Sequence, residues 1–456
     1  MKKNIIYINL LVLVIIGAGC TKQLDTKPTS SIDATDALKT SDDVLAALIG
    51  TYADFGSSSF YGGDVFVESE LLADDGDVNW SGTYQDLTQI YNKSIPITNG
   101  FVASNWIQGY RIINEANGIL DSVNIVVAAK QADAAAEAKF IRGCVYFDLV
   151  RLFAKAWNDG DPTANLGVPI VLKSTDQTKD LGESSKVKRN TVAEVYTQVI
   201  SDLTDAEKDI DNDNGFYANK AAAAGMLARV YLQKGDYTNA ADAANRSINY
   251  ALNNGMHLMA NYYDAFPFID PPAAVPNTAE DIFAMQVTPT SGANDFQTFY
   301  SAYGRGDIQI NDQHLNLYDP NDERLYLFYV SGGSVYTGKF DNIYGNVHIM
   351  RLAEQYLTRA EANFRMHTNV GARPLTDINT IRERVGLSDY TSADLTLDKI
   401  LAERKLELAF EGFALGDLKR TETNLTGIPW NSPKLIFPIP KREIQVNPNL
   451  VQNEGY

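Results

Sequence analysis

Apolar residues recur at steps of three and four along most of the chain, and this period predicts a mostly α-helical protein with irregular stretches between helices. Residues 41–55, SDDVLAALIGTYADF, carry the pattern behind a Ser-Asp-Asp start that suits a helix N-terminus. Further helices are predicted over 105–123 and 132–153; in the second, Phe140, Cys144, Phe147 and Val150 share a face, which makes Cys144 a small core residue. A helix over 191–210 leads into a hairpin over 221–251. There Leu227, Ala228, Tyr231, Gly235, Tyr237, Ala240, Ala244 and Ile248 fall where a tetratricopeptide repeat needs apolar, small and turn residues. Residues 348–367 and 374–385 predict a further helix pair, with Leu352, Tyr356, Ala360 and Phe364 on one face of the first. Residues 397–420 read as one long helix running into a turn at Gly412 and Gly416, and 168–172 as a short strand. The tail, 438–456, is rich in proline and is predicted to be extended and turn-rich.

Two stretches break the helical texture. Residues 56–87 are rich in Gly, Ser and Asp with interleaved aromatics. Residues 262–344 carry many more, among them Tyr262, Tyr263, Phe266, Phe268, Tyr300, Tyr303, Tyr326 and Tyr329, between Gly, Pro, Asn and Asp. Most such rings belong to a satellite core under the loops. A subset could form a platform, because the flat C–H faces of sugar rings stack on aromatics while Asp, Asn and Arg bond the hydroxyls. Asp75, Asp77, Asn79 and Asp86 imitate part of an EF-hand, but Trp80 occupies the position that requires Gly. A second acidic run, Asp209, Asp211 and Asp213, has Lys220 where the closing Glu belongs and reads as an exposed turn. No metal and no cofactor are expected.

Within 397–420, Glu403, Glu407 and Glu411 are four apart and would share a helix face, repelling one another unless cations meet them. Arg351, Arg359, Arg382, Arg384 and Arg404 are nearby in sequence. Two readings follow. The carboxylates form a structural salt-bridge lattice, or Glu403 and Glu407 are the acid and nucleophile of a surface glycosidase.

A chain of 456 residues, 45% hydrophobic and 21% charged, has ample length for a large core. Its net charge of -18 argues against nucleic acid and against basic-patch adhesion to anionic lipid. Four His, no HExxH and Cys144 as the only cysteine beyond Cys20 leave little for zinc. Lys2 and Lys3 followed by an apolar run at 5–16 form a signal peptide over 1–19. Gly17-Ala18-Gly19-Cys20 then looks like a bacterial lipobox, although Gly17 replaces the usual Leu; an ordinary signal peptide with an incidental cysteine is the alternative. Acylation at Cys20 would anchor the chain to a membrane, and loss of Lys2 and Lys3 would take the net charge from -18 to -20. Residues 20–40 read as a tether, and 41–456 as a single helical domain with an N-terminal helical part, 41–260, and a loop-rich part, 261–456.

Several segments together resemble the SusD/RagB family of outer-membrane nutrient-binding lipoproteins. They are the lipobox, AEAKFIRGCVYFDLVRLF followed by GVPIVL, RLAEQYLTRAEANFR, IRERVGL, ILAERKLELAFEGFALGDLKR and PIPKREIQVNPNLVQNEGY. One departure is Ala414-Leu415-Gly416-Asp417, where the family commonly has Arg-Trp-Phe-Asp. The resemblance implies a tetratricopeptide-like scaffold with long loops and few strands, lipid-anchored at the cell surface. It also implies no catalysis and a SusC-like TonB-dependent transporter as partner, to which captured oligosaccharide is delivered. Relatives that capture peptides keep that ligand class open, and a purely structural scaffold would bind neither. On loop position and composition, the expected ligand contacts are Trp80, Tyr84, Tyr262, Tyr263, Tyr300 and Tyr303.

Overall fold

The computed structural model describes residues 38–175, 182 and 185–456. Cys20 and the lipobox lie outside them. The helix Ser41–Phe55 begins with a reciprocal cap: the Thr40 side chain accepts from Asp43 N while the Asp43 carboxylate accepts from Thr40 N. Thr191 and Glu194 repeat this device at the helix Val192–Asp209. Helices Gly100–Ser122, Ala128–Phe153 and Val192–Asp209 pack in succession, pinned where Arg142 forks onto Asp202 and bonds Asn117 Oδ1 at 2.7 Å.

The predicted hairpin is formed by Lys220–Lys234 and Tyr237–Asn253, with Gly235 left-handed at the turn. Ala221 to Ala224 are all buried, so the backbones approach closely. Leu352–Met366 packs on the second helix of the hairpin. Among the described residues six short strands complete the architecture: β1 (Val78–Trp80), β2 (Asp281–Met285), β3 (Ile308–Ile310), β4 (Phe328–Ser331), β5 (Ser334–Thr337) and β6 (Val347–Arg351). They form an antiparallel sheet in the order β1-β3-β5-β4 and a separate β2–β6 ribbon. This is a mostly α, tetratricopeptide-like scaffold with long irregular segments. Among the described residues no helix is long and apolar enough to cross a membrane.

Besides a short helix, Lys441–Val446, inside the tail expected to be extended, four segments differ from the sequence-based expectation. Residues 397–420 are two helices, Leu397–Glu407 and Ala414–Arg420, because Phe410 (φ 67°) and Gly412 (φ 86°) turn the backbone left-handed between them. The carbonyls freed by that break are taken up: Lys339 Nζ donates to Glu407 O and Ala409 O, and Tyr262 Oη to Glu407 O. A Cβ on Gly412 would come within 2.6 Å of the Phe66 ring, so the turn requires glycine on both steric and conformational grounds. Residues 348–351, expected to open a helix, belong to β6. Residues 168–172 join no strand ladder; Tyr146 Oη bonds both Val171 N and Val171 O, and Asn190 Oδ1 accepts from Ile170 N.

The fourth difference is inside 56–87, where DVFVESELLA forms a helix, Asp64–Ala73, with every residue buried. Its acids disguise it in sequence. Glu68 accepts from Asn105 Nδ2, Asp64 faces Asp295, and Glu70 Oε1 accepts from Gly412 N at 2.7 Å and Ala414 N at 3.2 Å. Burial pushes the Glu70 carboxyl up to about 7 despite those two donors. The folded chain therefore holds a proton that the unfolded chain releases near 4.5, and this stabilisation is lost as pH rises through 7. Glu70→Gln is expected to gain about 1–3 kcal/mol over wild type between pH 5 and pH 8 in paired urea titrations.

The tail is bonded to the body rather than free. Arg189 donates to Val451 O, Asn453 Oδ1, Phe153 O and Leu166 O, and Asn453 Nδ2 donates to Phe153 O and Phe437 O. The ending therefore clamps the C-terminus of the helix Ala128–Phe153.

Candidate functional site

Two places could carry chemistry: the glutamate row and the aromatic loops. Glu403, Glu407 and Glu411 are buried and meet cations from four other segments. Arg324 Nη2 reaches Glu403 Oε1 at 2.7 Å and Arg382 Nη1 reaches Glu403 Oε2 at 3.1 Å. Arg351 Nη1 lies 2.6 Å from Glu280 Oε1 and 3.0 Å from Glu407 Oε1, and its Nε lies 2.8 Å from Glu411 Oε2. Arg384 bridges Glu280 and Glu407, and Lys339 Nζ is 2.7 Å from Glu411 Oε1. Burial alone would raise the carboxyls. The surrounding cations outweigh it, holding Glu407 below its ordinary value and Glu411 at about 2. A glycosidase needs a protonated acid facing an open cleft across from a second carboxylate. Glu403 and Glu407 form no such pair, and the lattice reading describes them. Two expected partners serve elsewhere: Arg359 forks onto Asp377, and Arg404 binds Asp417.

The aromatic loops do open a cleft, about 500 Å³ in volume, lined by Tyr263, Phe268, Tyr303, Tyr326, Tyr329 and Asp341. Tyr303 is 68% exposed and Tyr326 76% exposed. Phe268 and Tyr303 stack at 5.5 Å with planes 22° apart, and Tyr329 continues the row 6.2 Å from Tyr303. Single exposed rings are ordinary, whereas several rings around one hollow make a recognition surface.

The shape is held by a carboxylate. Asp341 Oδ1 accepts from Ser301 Oγ at 2.5 Å and from Tyr329 Oη at 2.8 Å. Tyr329 Oη accepts from Ala302 N, and Ser301 Oγ from Tyr303 N, both at 3.1 Å. Asp341 therefore fixes the turn that carries Tyr303. Two residues on, Arg305 covers the Tyr84 ring at 4.7 Å from its centroid and bonds Asp307 and Thr83. Tyr84 is itself half exposed and meets Phe101 and Phe299 edge-on, so it forms with Arg305 an apolar–cationic shelf two residues along the chain from Tyr303.

Two family profiles match the chain. One, described as starch-binding associating with outer membrane, matches residues 22–232, and that of the SusD family matches 325–434. The SusD-like protein P2 of Formosa agariphila is 26% identical over 98% of this chain and 99% of its own. The chain belongs to the SusD/RagB family. Starch-binding protein SusD of Bacteroides thetaiotaomicron is 24% identical over 88% of this chain and 87% of its own. A crystal structure of a Bacteroides vulgatus protein superposes with a TM-score of 0.82 at 29% identity, covering 92% of this chain and 99% of that one. A SusD superfamily protein of Bacteroides thetaiotaomicron follows at 0.78 and 26%, covering 91% and 99%.

Within this SusD-like scaffold the six aromatics expected at the site part company. Tyr263 and Tyr303 line the cleft and Tyr84 lies on the adjoining shelf. Tyr262 and Tyr300 do not reach either, which corrects the expectation for them. Tyr262 is 1% exposed, enclosed by Lys339, Arg351 and Arg384, and belongs to the ion-pair lattice. Tyr300 is fully buried against Phe296, Phe340 and Phe410. Trp80 is also corrected: it is buried in β1, its Nε1 donating to Thr88 Oγ1 at 2.8 Å, and it supports the shelf from beneath. Phe268, Tyr326 and Tyr329 also line the cleft, and no periodicity in the sequence separates them from their buried neighbours among the loop aromatics.

The EF-hand-like spacing is likewise structural. Asp75 accepts from Thr426 N and Oγ1, and Asp77 pairs with Lys405 at 2.7 Å. Among the described residues no cluster of acids, histidines or cysteines is arranged to hold a metal ion. The departure at 414–417 is accommodated locally. A Cβ on Gly416 would lie 2.8 Å from Gln233 Nε2, so the smaller residues let this helix seat against the hairpin, and Asp417 still pairs with Arg404 and Arg420.

Proposed function

We propose that this chain is a non-catalytic binding protein that captures oligosaccharides at the cell surface and delivers them to a SusC-like TonB-dependent transporter. The observation that carries the reading is the cleft in which the exposed rings of Phe268 and Tyr303 stack and the half-buried Tyr329 tilts against Tyr303, with Asp264 and Asp341 at its polar edge. Sugar rings offer apolar faces to such a row and hydroxyls to such carboxylates. Membership of a family whose relatives include a starch-binding protein supports the ligand class. The enclosure of Glu403 and Glu407 supports capture without hydrolysis.

In this reading residues 1–19 are removed, Cys20 carries the lipid, 20–40 form the tether, and 41–456 act as one binding unit. Two acyl chains bury enough CH₂ groups, at about 0.8 kcal/mol each, to hold the protein on the outer membrane. Cys20→Ala is expected to move the protein from the membrane fraction to the soluble fraction, read by blotting after ultracentrifugation; unchanged membrane retention would remove the lipid anchor from the account.

The ligand class is tested by calorimetric titration of the soluble chain beginning after Cys20 against plant, host and microbial glycans and a peptide mixture. Saturable heat from one glycan class is the expected result. Heat from peptides alone would replace the ligand class, and heat from neither would refute capture by the isolated chain.

A further inference from the structure

A second cavity, about 330 Å³, lies away from the aromatic cleft, between the end of the helix Asp64–Ala73, residues 74–78, the helix Leu397–Glu407 and the turn that follows it. Its walls are mainly apolar, with Val78, Leu401, Leu408, Phe410, Phe413 and Leu418 among them. Exposed Asp75, Lys405 and Asn424 mark its mouth. A volume of this size accepts a small organic molecule.

One wall carries hydrogen-bond acceptors that nothing in the protein satisfies. His314 is 1% exposed. Tyr318 Oη donates to Leu406 O at 3.2 Å, so its lone pair accepts from His314 Nε2, also at 3.2 Å. That bond assigns the ring proton to Nε2 and leaves Nδ1 bare. Nδ1 has no hydrogen-bond partner, and the nearest carboxylate oxygen, Asp77 Oδ1 at 3.6 Å, is also without one. Two acceptors therefore face each other beyond bonding distance with no donor between them. Burial lowers the basicity of the imidazole; Asp77 opposes that shift, Lys405 and Lys339 add to it, and the net direction is downward. Asp77 Oδ2 is already engaged by Lys405.

The surrounding charge favours a cationic donor. Asp74 and Asp75 lie on the same wall, and Glu70 across the cavity is close enough to feel the Asp77 charge. The guanidinium groups that line the cavity are compensated, Arg404 by Asp417 and Arg420 by Asp417 and Glu361. Arg420 Nη2 lacks a partner, but Arg420 also lines a smaller cavity beside Lys419 and so does not define this ligand.

We propose that this cavity is a second binding site, separate from the aromatic cleft, for a small primary amine with an apolar body. Its ammonium donates to His314 Nδ1 and Asp77 Oδ1, and its hydrocarbon part lies among Leu401, Leu408, Phe410 and Phe413. An alcohol offers one proton where the ammonium offers three and carries no charge for Asp77, so the site discriminates between the two.

The test uses the full chain after Cys20 with 2-phenylethylamine, and 2-phenylethanol as its neutral counterpart. The amine is expected to bind saturably and at least 10-fold tighter than the alcohol, with Asp77→Asn weakening it at least 10-fold. Leu401→Trp, which fills the apolar part and leaves the acceptors in place, is expected to abolish binding and keeps the test decisive if Asp77→Asn does not fold. Nitrogen NMR of His314 in the unliganded chain is expected to report the Nε2–H tautomer. No amine binding, equal binding of the alcohol, binding unmoved by Leu401→Trp, or an imidazolium whose Nδ1–H is bonded to Asp77 would each overturn the proposal.

Discussion

Replacing Arg351 by Met is expected to cost about 3–5 kcal/mol of folding stability, read by urea denaturation at neutral pH. Arg351 is buried and its guanidinium contacts Glu280, Glu407 and Glu411 together with the carbonyl of Glu407. Methionine fills much of the same volume and supplies none of the charge, so the carboxylates are left facing one another in a water-poor interior. The loss arises from stranded charge more than from the worth of the ion pairs themselves. Arg384, Arg324 and Lys339 remain, and a loss below about 1 kcal/mol would mean that they re-pair with the freed oxygens or that a glutamate takes up a proton.

The same lattice sets an acid limit. Because Glu407 and Glu411 are held below their ordinary values in the fold, the stability they contribute is present above about pH 4.5 and is lost as pH falls towards 2. This runs opposite to the effect of Glu70, whose buried carboxyl favours the fold at lower pH.

The second large effect concerns binding. Phe268→Ala with Tyr303→Ala is expected to weaken glycan affinity by at least 10-fold while leaving the denaturation midpoint within error. Each ring offers a face worth about 1–2 kcal/mol to a stacked sugar, and a factor of ten in affinity corresponds to about 1.4 kcal/mol. Both side chains project from loops, so their removal opens no core cavity. Tyr300→Ala makes the contrasting control: that ring is enclosed by Phe296, Phe340 and Phe410, and its loss should lower stability rather than binding alone.

The helical scaffold was legible because its signals are local. The Ser-Asp-Asp start at 41–43, whose Asp43 completes the cap with Thr40, the left-handed Gly235 and the alanine faces of the hairpin each declare themselves within a few residues. The buried helix Asp64–Ala73 was not, because its acids are matched by Asn105 and by the backbone at 412–414, more than 30 and more than 300 residues away in sequence. The break at 408–413 was hidden for a related reason. The donors that take the freed carbonyls come from Tyr262 and Lys339, on other segments, and a helical period cannot report them. At the candidate site, composition pointed to the loops that form the aromatic cleft but could not separate Tyr303 from Tyr300. One lies three residues past the other, and only the packing of Phe340 and Phe410 over Tyr300 decides which ring meets solvent.

A crystal structure of the soluble chain with its tightest glycan decides whether the aromatic cleft is where sugar is captured. The expected result is sugar rings stacked over Phe268 and Tyr303, hydroxyls bonded at Asp264 or Asp341, and an intact glycosidic bond. Glycan seated instead against the helical hairpin at 220–253, or cleaved glycan beside Glu403 and Glu407, would contradict it.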